Sequence, residues 1–524
     1  MSSVLPESPL RTSDPRITRI AWTLIAAFFV FMVWFGIKYH PIEEVNSGEW
    51  DDYVGQADVI RQGHLPADPY RPLLYPITAA GLGACLGDTF AGARLASSLF
   101  AAVFVLSAFL IGRRMYSPAV GLFAAGAMML NHNVIRFGVH ATTDMMFAGL
   151  AGMTVYATLR NADDPEGTSV VPVSLGLALA YFTRYTAIAL LPCVLVAILC
   201  SDRAAPPRRV VRRLLAFVLW TFVFLTPHFV LTYMVFGNPF HNENWRNLAF
   251  KLYGNWDWTY LSHNPFHGTF SVIAHDPARF VTATIREVMK FGYRTLIHLG
   301  GYSVAGWLFT ACTLAGLYSA LRAINRQRLV LLTFLAGYVL TICAFFYTSP
   351  RFMLPVLPAC YVLGGAWMMS TAFPGSFTIK KWRVGHAAPV LAAFLLIDAS
   401  ATAREMPVFV ASHPTEELRA VQQLEHQYGT NITVLGTAPY FQRHLSCTYL
   451  VLKSPAPGDM DFYARLSELA KNADFVVIGR LTARGFPAGL VDGTAPPPFL
   501  DAVEIDDHVS IYRMHKTEDS RRVP

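Results

Sequence analysis

The chain has 524 residues, 53% of them hydrophobic and only 15% charged, with a formal net charge of +7 and a mean hydropathy of +0.37. Soluble domains carry about 25% charged residues, so a soluble chain of this length could not cover so much apolar surface. Its Lys and Arg residues are dispersed between apolar runs rather than gathered in one patch, which excludes an ordinary nucleic-acid binder and fits basic loops between membrane spans.

Met1 to about Pro15 is polar, contains proline and reads as a disordered tail. Ile20–Ile37 is too long for the apolar core of a cleavable leader, and no small-residue cleavage site follows, so it reads as the first span. Ten further apolar runs read as spans, several of them long enough, at roughly 17–25 residues, to cross about 30 Å of hydrocarbon. They are expected at 91–111, 117–131, 143–159, 169–183, 185–200, 214–235, 301–320, 329–347, 352–371 and 387–403. The fold class is therefore an α-helical polytopic membrane protein of about eleven transmembrane helices over residues 16–403. The positive-inside rule supports this count. With a cytoplasmic N-terminus, every inner segment is basic: Arg11, Arg16 and Arg19; Arg113 and Arg114; Arg160; Arg203 to Arg213; Arg322 to Arg328; Lys380, Lys381 and Arg383. The least secure point is the turn at Arg184. A single crossing of 169–200 would invert everything after it.

Three regions are left outside by this threading: loops 38–90 and 236–300, and residues 404–524. The last has another texture. Glu416–Tyr428 reads as an amphipathic helix, Asn431–Gly436 as a strand, Asp461–Asn472 as a helix, Asp474–Gly479 as a strand and Ala502–Met514 as a closing strand or hairpin. Alternating helix and strand predict a small extracytoplasmic α/β domain. The seven cysteines are scattered, without a CxxC pair, and read as free thiols.

Charged residues beside a bilayer need a reason. The first outer loop holds Glu49, Asp51 and Asp52 within four residues, just before Tyr53–Ala57, which reads as a helix lying on the membrane. Asp144 begins the fourth span, where it could cap the helix, although Thr142 or Thr143 could do so without a charge. Arg184 stands at an outer turn and Arg351 at the mouth of a span interrupted by Pro350, Pro355 and Pro358. Either arginine could snorkel to lipid headgroups, or hold a phosphate through two parallel hydrogen bonds. Carboxylates and arginines meeting at one face suit a reaction between a lipid-linked phosphate and a polar acceptor, one carboxylate taking the acceptor proton and the arginines stabilising charge on the leaving phosphate. His241, His263, His267 and His275 have gaps that suit no metal template. Trp245, Trp256 and Trp258 read as interfacial anchors.

Several motifs fall in one order. They are Asp51-Asp52-Tyr53-x-x-x-Ala57-x-x-x-x-x-Gly63, Arg71-Pro72-Leu73-Leu74-Tyr75-Pro76, Ala93-Arg94-Leu95, Arg113-Arg114-Met115-Tyr116-Ser117-Pro118, Asp144, Phe182-Thr183-Arg184-Tyr185 and Arg351-Phe352-Met353-Leu354-Pro355. Over roughly residues 15–400 this pattern resembles the GT-C glycosyltransferases, in particular the group of protein O-mannosyltransferases, aminoarabinose transferases and Rgt-type sugar transferases. The resemblance implies a membrane enzyme that takes a sugar from a polyprenyl-phosphate carrier to an extracytoplasmic acceptor. It implies that a first-loop acid (Asp51, with Asp52 and Glu49 as alternatives) is the base, and that Asp144 is the acid of the second outer loop. It puts Arg351, Arg184 and Arg71 on the donor phosphate, and Tyr53, Tyr75 and His140 beside the substrate. A divalent cation could assist through Asp51 and Asp144, although nothing in the spacing demands one. Two other readings compete: a transporter or flippase of lipid-linked saccharides, which calls for polar residues near mid-span, and a non-enzymatic assembly subunit that displays the C-terminal domain.

Overall fold

The structure, a computed structural model, describes residues 15–39, 52–66, 71–163, 170–200, 207–254, 265–301, 303–372, 376–379, 382–411, 415–437, 441, 445–452, 462–480, 483, 486–505 and 507–514. The expected disordered tail up to residue 14 lies outside them. So do Glu49, Asp51, Trp256, Trp258 and His263. The chain divides into two compact units, Met1–Lys38 with Tyr53–Met406, and Tyr39–Asp52 with Pro407–Pro524.

The first unit is predominantly helical. Its helices are α1 (Pro15–Tyr39), α2 (Tyr53–Arg61), α3 (Leu74–Leu86), α4 (Thr89–Met115), α5 (Pro118–Leu130), α6 (His132–Val139), α7 (Thr143–Ala162), α8 (Val170–Thr183), α9 (Leu191–Leu199), α10 (Pro207–Phe236), α11 (Trp245–Tyr253), α12 (Thr269–His275), α13 (Pro277–Lys290), α14 (Leu296–Gly300), α15 (Ser303–Arg322), α16 (Arg326–Phe345), α17 (Pro350–Met353) and α18 (Leu357–Trp367). A hairpin of β1 (Ser376–Ile379) and β2 (Trp382–Gly385) precedes α19 (Ala387–Ala411).

Among the described residues, seven helices are long and apolar enough to cross a membrane, or eight if α5 and α6, bent by 62°, form one span. The chain is a multi-span membrane protein. All eleven expected spans are helical, but α7, α8 and the stretch Tyr185–Leu199 fall short of that test individually. The reason is physical for α7. It is buried inside the bundle, with Asp144, Thr154, Thr158 and Asn161 all shielded, so protein rather than lipid surrounds its polar groups.

Local sequence explains where the helices begin. Asp88 caps α4, its carboxylate accepting from Phe90 N and Ala91 N. Ser117 caps α5 with Pro118 in the first turn, where a missing N–H costs nothing. Asn131 ends α5 and caps α6 by accepting from Asn133 N and Val134 N, which makes the bend. Packing is close where α4 and α5 cross. A Cβ on Gly112 would fall 2.7 Å from Gly121 Cα, and one on Gly121 would fall 2.4 Å from Phe109 O, so only glycine permits this backbone contact.

Both ends of α7 are tied by charge. At its C-terminal end, Arg213 Nη2 donates to Asn161 O at 3.3 Å and Arg326 Nη1 to Ala162 O at 3.0 Å. Arg114 Nη2 lies 2.8 Å from Asp163 Oδ2, which also accepts from Gln327. Cations suit the negative end of a helix dipole. Arg184 sits at the opposite, N-terminal end, on Asp144. The chain between Arg184 and Arg213 therefore runs from one end of α7 to the other, a helix of 20 residues and so about 30 Å long.

A buried polar seam joins several spans. Asn131 Nδ2 donates to Leu299 O and to Tyr361 Oη, both at 3.0 Å, and Tyr361 Oη donates to Asp398 Oδ2 at 3.4 Å. Asp398 is buried within α19. The sequence reading does not single it out, although an acid inside an apolar helix is itself a signal.

The second unit contains α20 (Thr415–Tyr428), β3 (Thr433–Gly436), β4 (Thr448–Val451), α21 (Phe462–Ala470), β5 (Phe475–Gly479), α22 (Ala488–Val491), β6 (Leu500–Ile505) and β7 (Val509–Met514). The strand order is β4-β3-β5-β7-β6. β3 pairs in parallel with β4 and β5, and β7 runs antiparallel to β5 and β6. Alternate strand residues feed two cores. Val434, Val477 and Ile511 pack with Leu418, Val421 and Leu424 of α20, and Leu435, Val476 and Tyr512 with Leu466 and Ala470 of α21. The expected helices, the strands β3 and β5 and the closing hairpin are all present. β4 was not expected: its four residues are too few to carry a pattern of their own and take their place from pairing with β3.

Candidate active site

Three elements that are distant in the chain meet at the N-terminus of α7. The first is Asp144, at the second residue of α7, with its side chain 1% exposed. Thr142 Oγ1 donates to its Oδ2 at 2.7 Å. The second is Arg184. Helix α8 stops at Thr183, Arg184 is extended with φ −152° and ψ 133°, and a 3-10 turn, Tyr185–Leu190, starts after it. This break turns the guanidinium inward, and Nη1 reaches Asp144 Oδ1 at 2.5 Å. The third is Arg351. Ser349 caps α17 and Pro350 occupies its first turn. Pro355 lies in the 3-10 turn Leu354–Val356, and α18 restarts with Pro358 in its first turn. Arg351 Nε donates to Asp144 Oδ2 at 2.7 Å across 207 residues of sequence.

Aromatic walls complete the surroundings. The Arg184 guanidinium lies 5.1 Å from the Phe352 ring centroid and 6.0 Å from that of Phe147, and Arg351 lies 5.5 Å from Phe352. Phe147 stacks on Tyr338, whose hydroxyl donates to Phe352 O at 2.9 Å. Arg184 and Arg351 are 11% and 17% exposed. Two guanidiniums share the one Asp144 carboxylate. Carboxylate and guanidinium groups hold one another in fixed orientation, and the low local dielectric strengthens the attraction. Both Asp144 oxygens are engaged, Oδ1 by Arg184 and Oδ2 by Arg351 and Thr142.

The other residues named from the sequence lie as follows. Tyr53 and Tyr75 are buried and meet edge to face, with ring centroids 5.7 Å apart. Tyr53 Oη accepts from Thr143 Oγ1 at 3.3 Å, beside Asp144. Tyr75 Oη donates to Ala93 O at 2.9 Å. His140 is buried, and its carbonyl accepts from Ser97 Oγ at 2.6 Å. Arg71 Nη1 donates to Asn244 Oδ1 at 3.2 Å. It lines a small cavity with Phe182, Tyr185, His228 and Thr232. Asp52 is exposed and groups with the second unit. His228 was not expected. It is caged by Tyr181, Phe182 and Tyr185, with centroids 5.1–6.0 Å away, and its only signal was an imidazole inside an apolar run.

Among the described residues, no three His, Cys, Asp or Glu side chains converge on a common point. Asp144, weighed above as a cation ligand, has its oxygens committed to guanidiniums. The described donors therefore do not fit a divalent cation, and no step below runs through one. His241 stacks on Phe236 at 3.9 Å, and His275 lies edge-on to Tyr253 at 5.3 Å.

Residues 70–231 match the family of dolichyl-phosphate-mannose-protein mannosyltransferases. In fold, the chain is similar to ArnT from Cupriavidus metallidurans bound to undecaprenyl phosphate, at 14% identity and a TM-score of 0.56, covering 94% of this chain and 97% of that one. The apo state of the same protein aligns at 14% identity and a TM-score of 0.55, over 94% and 98%. The oligosaccharyltransferase AglB from Archaeoglobus fulgidus, in complex with an inhibitory peptide and a dolichol-phosphate, aligns at 10% identity and a TM-score of 0.47, over 87% and 69%. No curated protein matches by sequence. By sequence over residues 70–231 and by fold over nearly the whole chain, the protein resembles the GT-C glycosyltransferases.

Proposed function

We propose that the chain is a membrane glycosyltransferase that moves a sugar from a polyprenyl-phosphate carrier to an extracytoplasmic acceptor, with inversion at the anomeric carbon. The observation that carries this reading is the pairing of Arg184 and Arg351 on the buried Asp144. A phosphate leaving group needs preorganised positive charge where its own charge develops, and these guanidiniums are fixed before a substrate arrives. The acceptor oxygen bonds to the anomeric carbon while the bond from that carbon to the carrier phosphate breaks, through a transition state with oxocarbenium character. The acceptor proton passes to a first-loop carboxylate, Asp51 in preference to Asp52 or Glu49. Polyprenyl phosphate leaves against Arg351 and Arg184, with Arg71 farther out. Tyr53, Tyr75 and His140 shape the wall on the α7 side.

Eleven crossings follow from the same reading, with the N-terminus cytoplasmic and residues 404–524 outside the inner (plasma) membrane as a separate α/β domain. The contacts of Arg184 and Arg213 at opposite ends of α7 support two crossings between residues 169 and 200.

The test is transfer by the purified full-length protein in lipid, given a panel of polyprenyl-phosphate sugars. The expected result is release of the carrier, lost in Asp51→Asn and Arg351→Ala. Retained carrier binding in Asp51→Asn separates an enzyme from a transporter. Neither turnover nor carrier binding with any donor would overturn the proposal.

A further inference from the structure

A second cationic site lies apart from Asp144, in the segment between α10 and α15. A cavity of about 390 Å³ opens between α11 and α13. Its polar lining is Lys251 from α11, and Asp276, Arg279, Thr282 and Arg286 from α13 and the turn before it. Three cations and one carboxylate line it; Asp276 Oδ1 accepts from Arg279 N at 2.9 Å and caps α13. The neighbouring acid, Glu287, is buried. Its Oε2 accepts from Thr348 N at 2.6 Å and Thr348 Oγ1 at 2.7 Å, and lies 3.5 Å from Lys290 Nζ. Among the described residues, Arg286 pairs with no carboxylate.

The cations are arranged rather than scattered. Arg279, Thr282 and Arg286 are spaced i, i+3, i+7, so they share one face of α13 over about 10 Å. Arg279 is steadied at 5.1 Å over the Tyr253 ring. Lys251 Nζ donates to Cys343 O at 2.6 Å and Ala344 O at 3.1 Å, at the end of α16, which fixes its ammonium at the wall of the cavity.

A different face of α13 points outward and is apolar. Val281, Ile285 and Met289, spaced four apart, are 53%, 55% and 65% exposed. An exposed aliphatic stripe on an amphipathic helix that carries basic residues on another face marks a helix seated at a membrane surface. Free phosphate needs the cations and has no use for the stripe. A phosphate carried on acyl chains uses both.

We infer that the cavity between α11 and α13 binds the phosphate headgroup of an anionic lipid, held by Arg279, Arg286 and Lys251, while its chains lie along Val281, Ile285 and Met289. This site is separate from the donor site and does not depend on the transfer reaction.

The test uses the full-length protein in neutral detergent, titrated with short-chain phosphatidic acid, short-chain phosphatidylcholine or inorganic phosphate. Phosphatidic acid should bind. Its affinity should fall roughly tenfold or more in Arg279→Gln/Arg286→Gln, with unchanged thermal melting because both side chains are exposed, and should hold in Arg351→Ala. Val281→Ser/Ile285→Ser should weaken the lipid while leaving the weak binding of inorganic phosphate as it was. Equal binding of phosphatidylcholine, unchanged affinity in the arginine double variant, or loss in Arg351→Ala instead would overturn the inference. Inorganic phosphate binding as tightly as the lipid would also overturn it, by assigning the cavity to a free anion.

Discussion

The two cationic sites of the membrane unit are built in opposite ways. At the N-terminus of α7, two arginines share one buried carboxylate, and each is delivered by a broken helix. Between α11 and α13, the arginines stand on one uninterrupted helix, exposed and, among the described residues, without a carboxylate partner. A buried positive charge must be compensated and ends up locked in place, whereas a surface charge stays hydrated and adaptable. The first arrangement suits a charge that develops at a fixed point in a reaction. The second suits a headgroup that arrives by lateral diffusion.

The sharpest way to break the contrast is Asp144→Ala. It strands two guanidiniums, and removing one partner of a buried pair costs about 3–5 kcal/mol. Thermal melting should drop and transfer should vanish. A variant that melts like the wild type and still transfers would remove the reason for calling the cluster preorganised. Next is Arg351→Lys, which keeps the charge and loses the planar fork. Turnover should fall about 10²–10³-fold, the range for losing one electrostatic donor, with melting nearly intact. Gly121→Leu tests rigidity at the crossing of α4 and α5, at the end of the bundle away from Asp144. With a Cβ placed 2.4 Å from Phe109 O, overpacking should cost about 1–3 kcal/mol, and lipid binding at the α11–α13 cavity should be unaffected.

The smallest effect is a pH dependence confined to the second site. Burial pushes Lys251 down from 10.5 to about 8, against an upward pull from Glu287 and Cys343 and with a further downward push from Lys290. Arg279 and Arg286 line the same cavity. Between about pH 8 and 10.5 the folded chain binds fewer protons than the unfolded one, so this lysine makes stability rise with pH. As pH rises through about 8 the cavity loses the Lys251 charge, and phosphatidic acid affinity should fall modestly. Lys251→Met should flatten both trends. Persistence of both in Lys251→Met would exclude the lysine as their source.

Much of the helical plan was legible, because apolar runs of span length and the Ser-Pro, Asn and Asp punctuation act locally. Ser117-Pro118 and Ser349-Pro350 start helices for reasons contained in those residues. Asp144, Arg184 and Arg351 could be named, since a charge beside a span stands out. Their mutual contact could not be read, because it spans 207 residues and depends on how breaks at Arg184 and Pro350 aim two side chains. The α13 cavity was missed for a related reason: the segment from residue 236 to 300 reads as a loop rich in Trp and His, and its short helices become amphipathic only once their boundaries are known. Asp398 was missed because one acid barely alters the hydropathy of a 25-residue helix.

The Asp144 cluster also has an order of assembly in time. Asp144 is synthesised 40 residues before Arg184 and 207 residues before Arg351. At about 5–20 residues per second the second arginine arrives about 10–40 s after the acid. During that interval α7 must wait in the insertion machinery or the lipid with its carboxylate half-compensated or protonated. Nascent chains halted before Arg184 should therefore be the stage at which α7 is most easily extracted from the membrane, and chains halted between the two arginines should hold it more firmly.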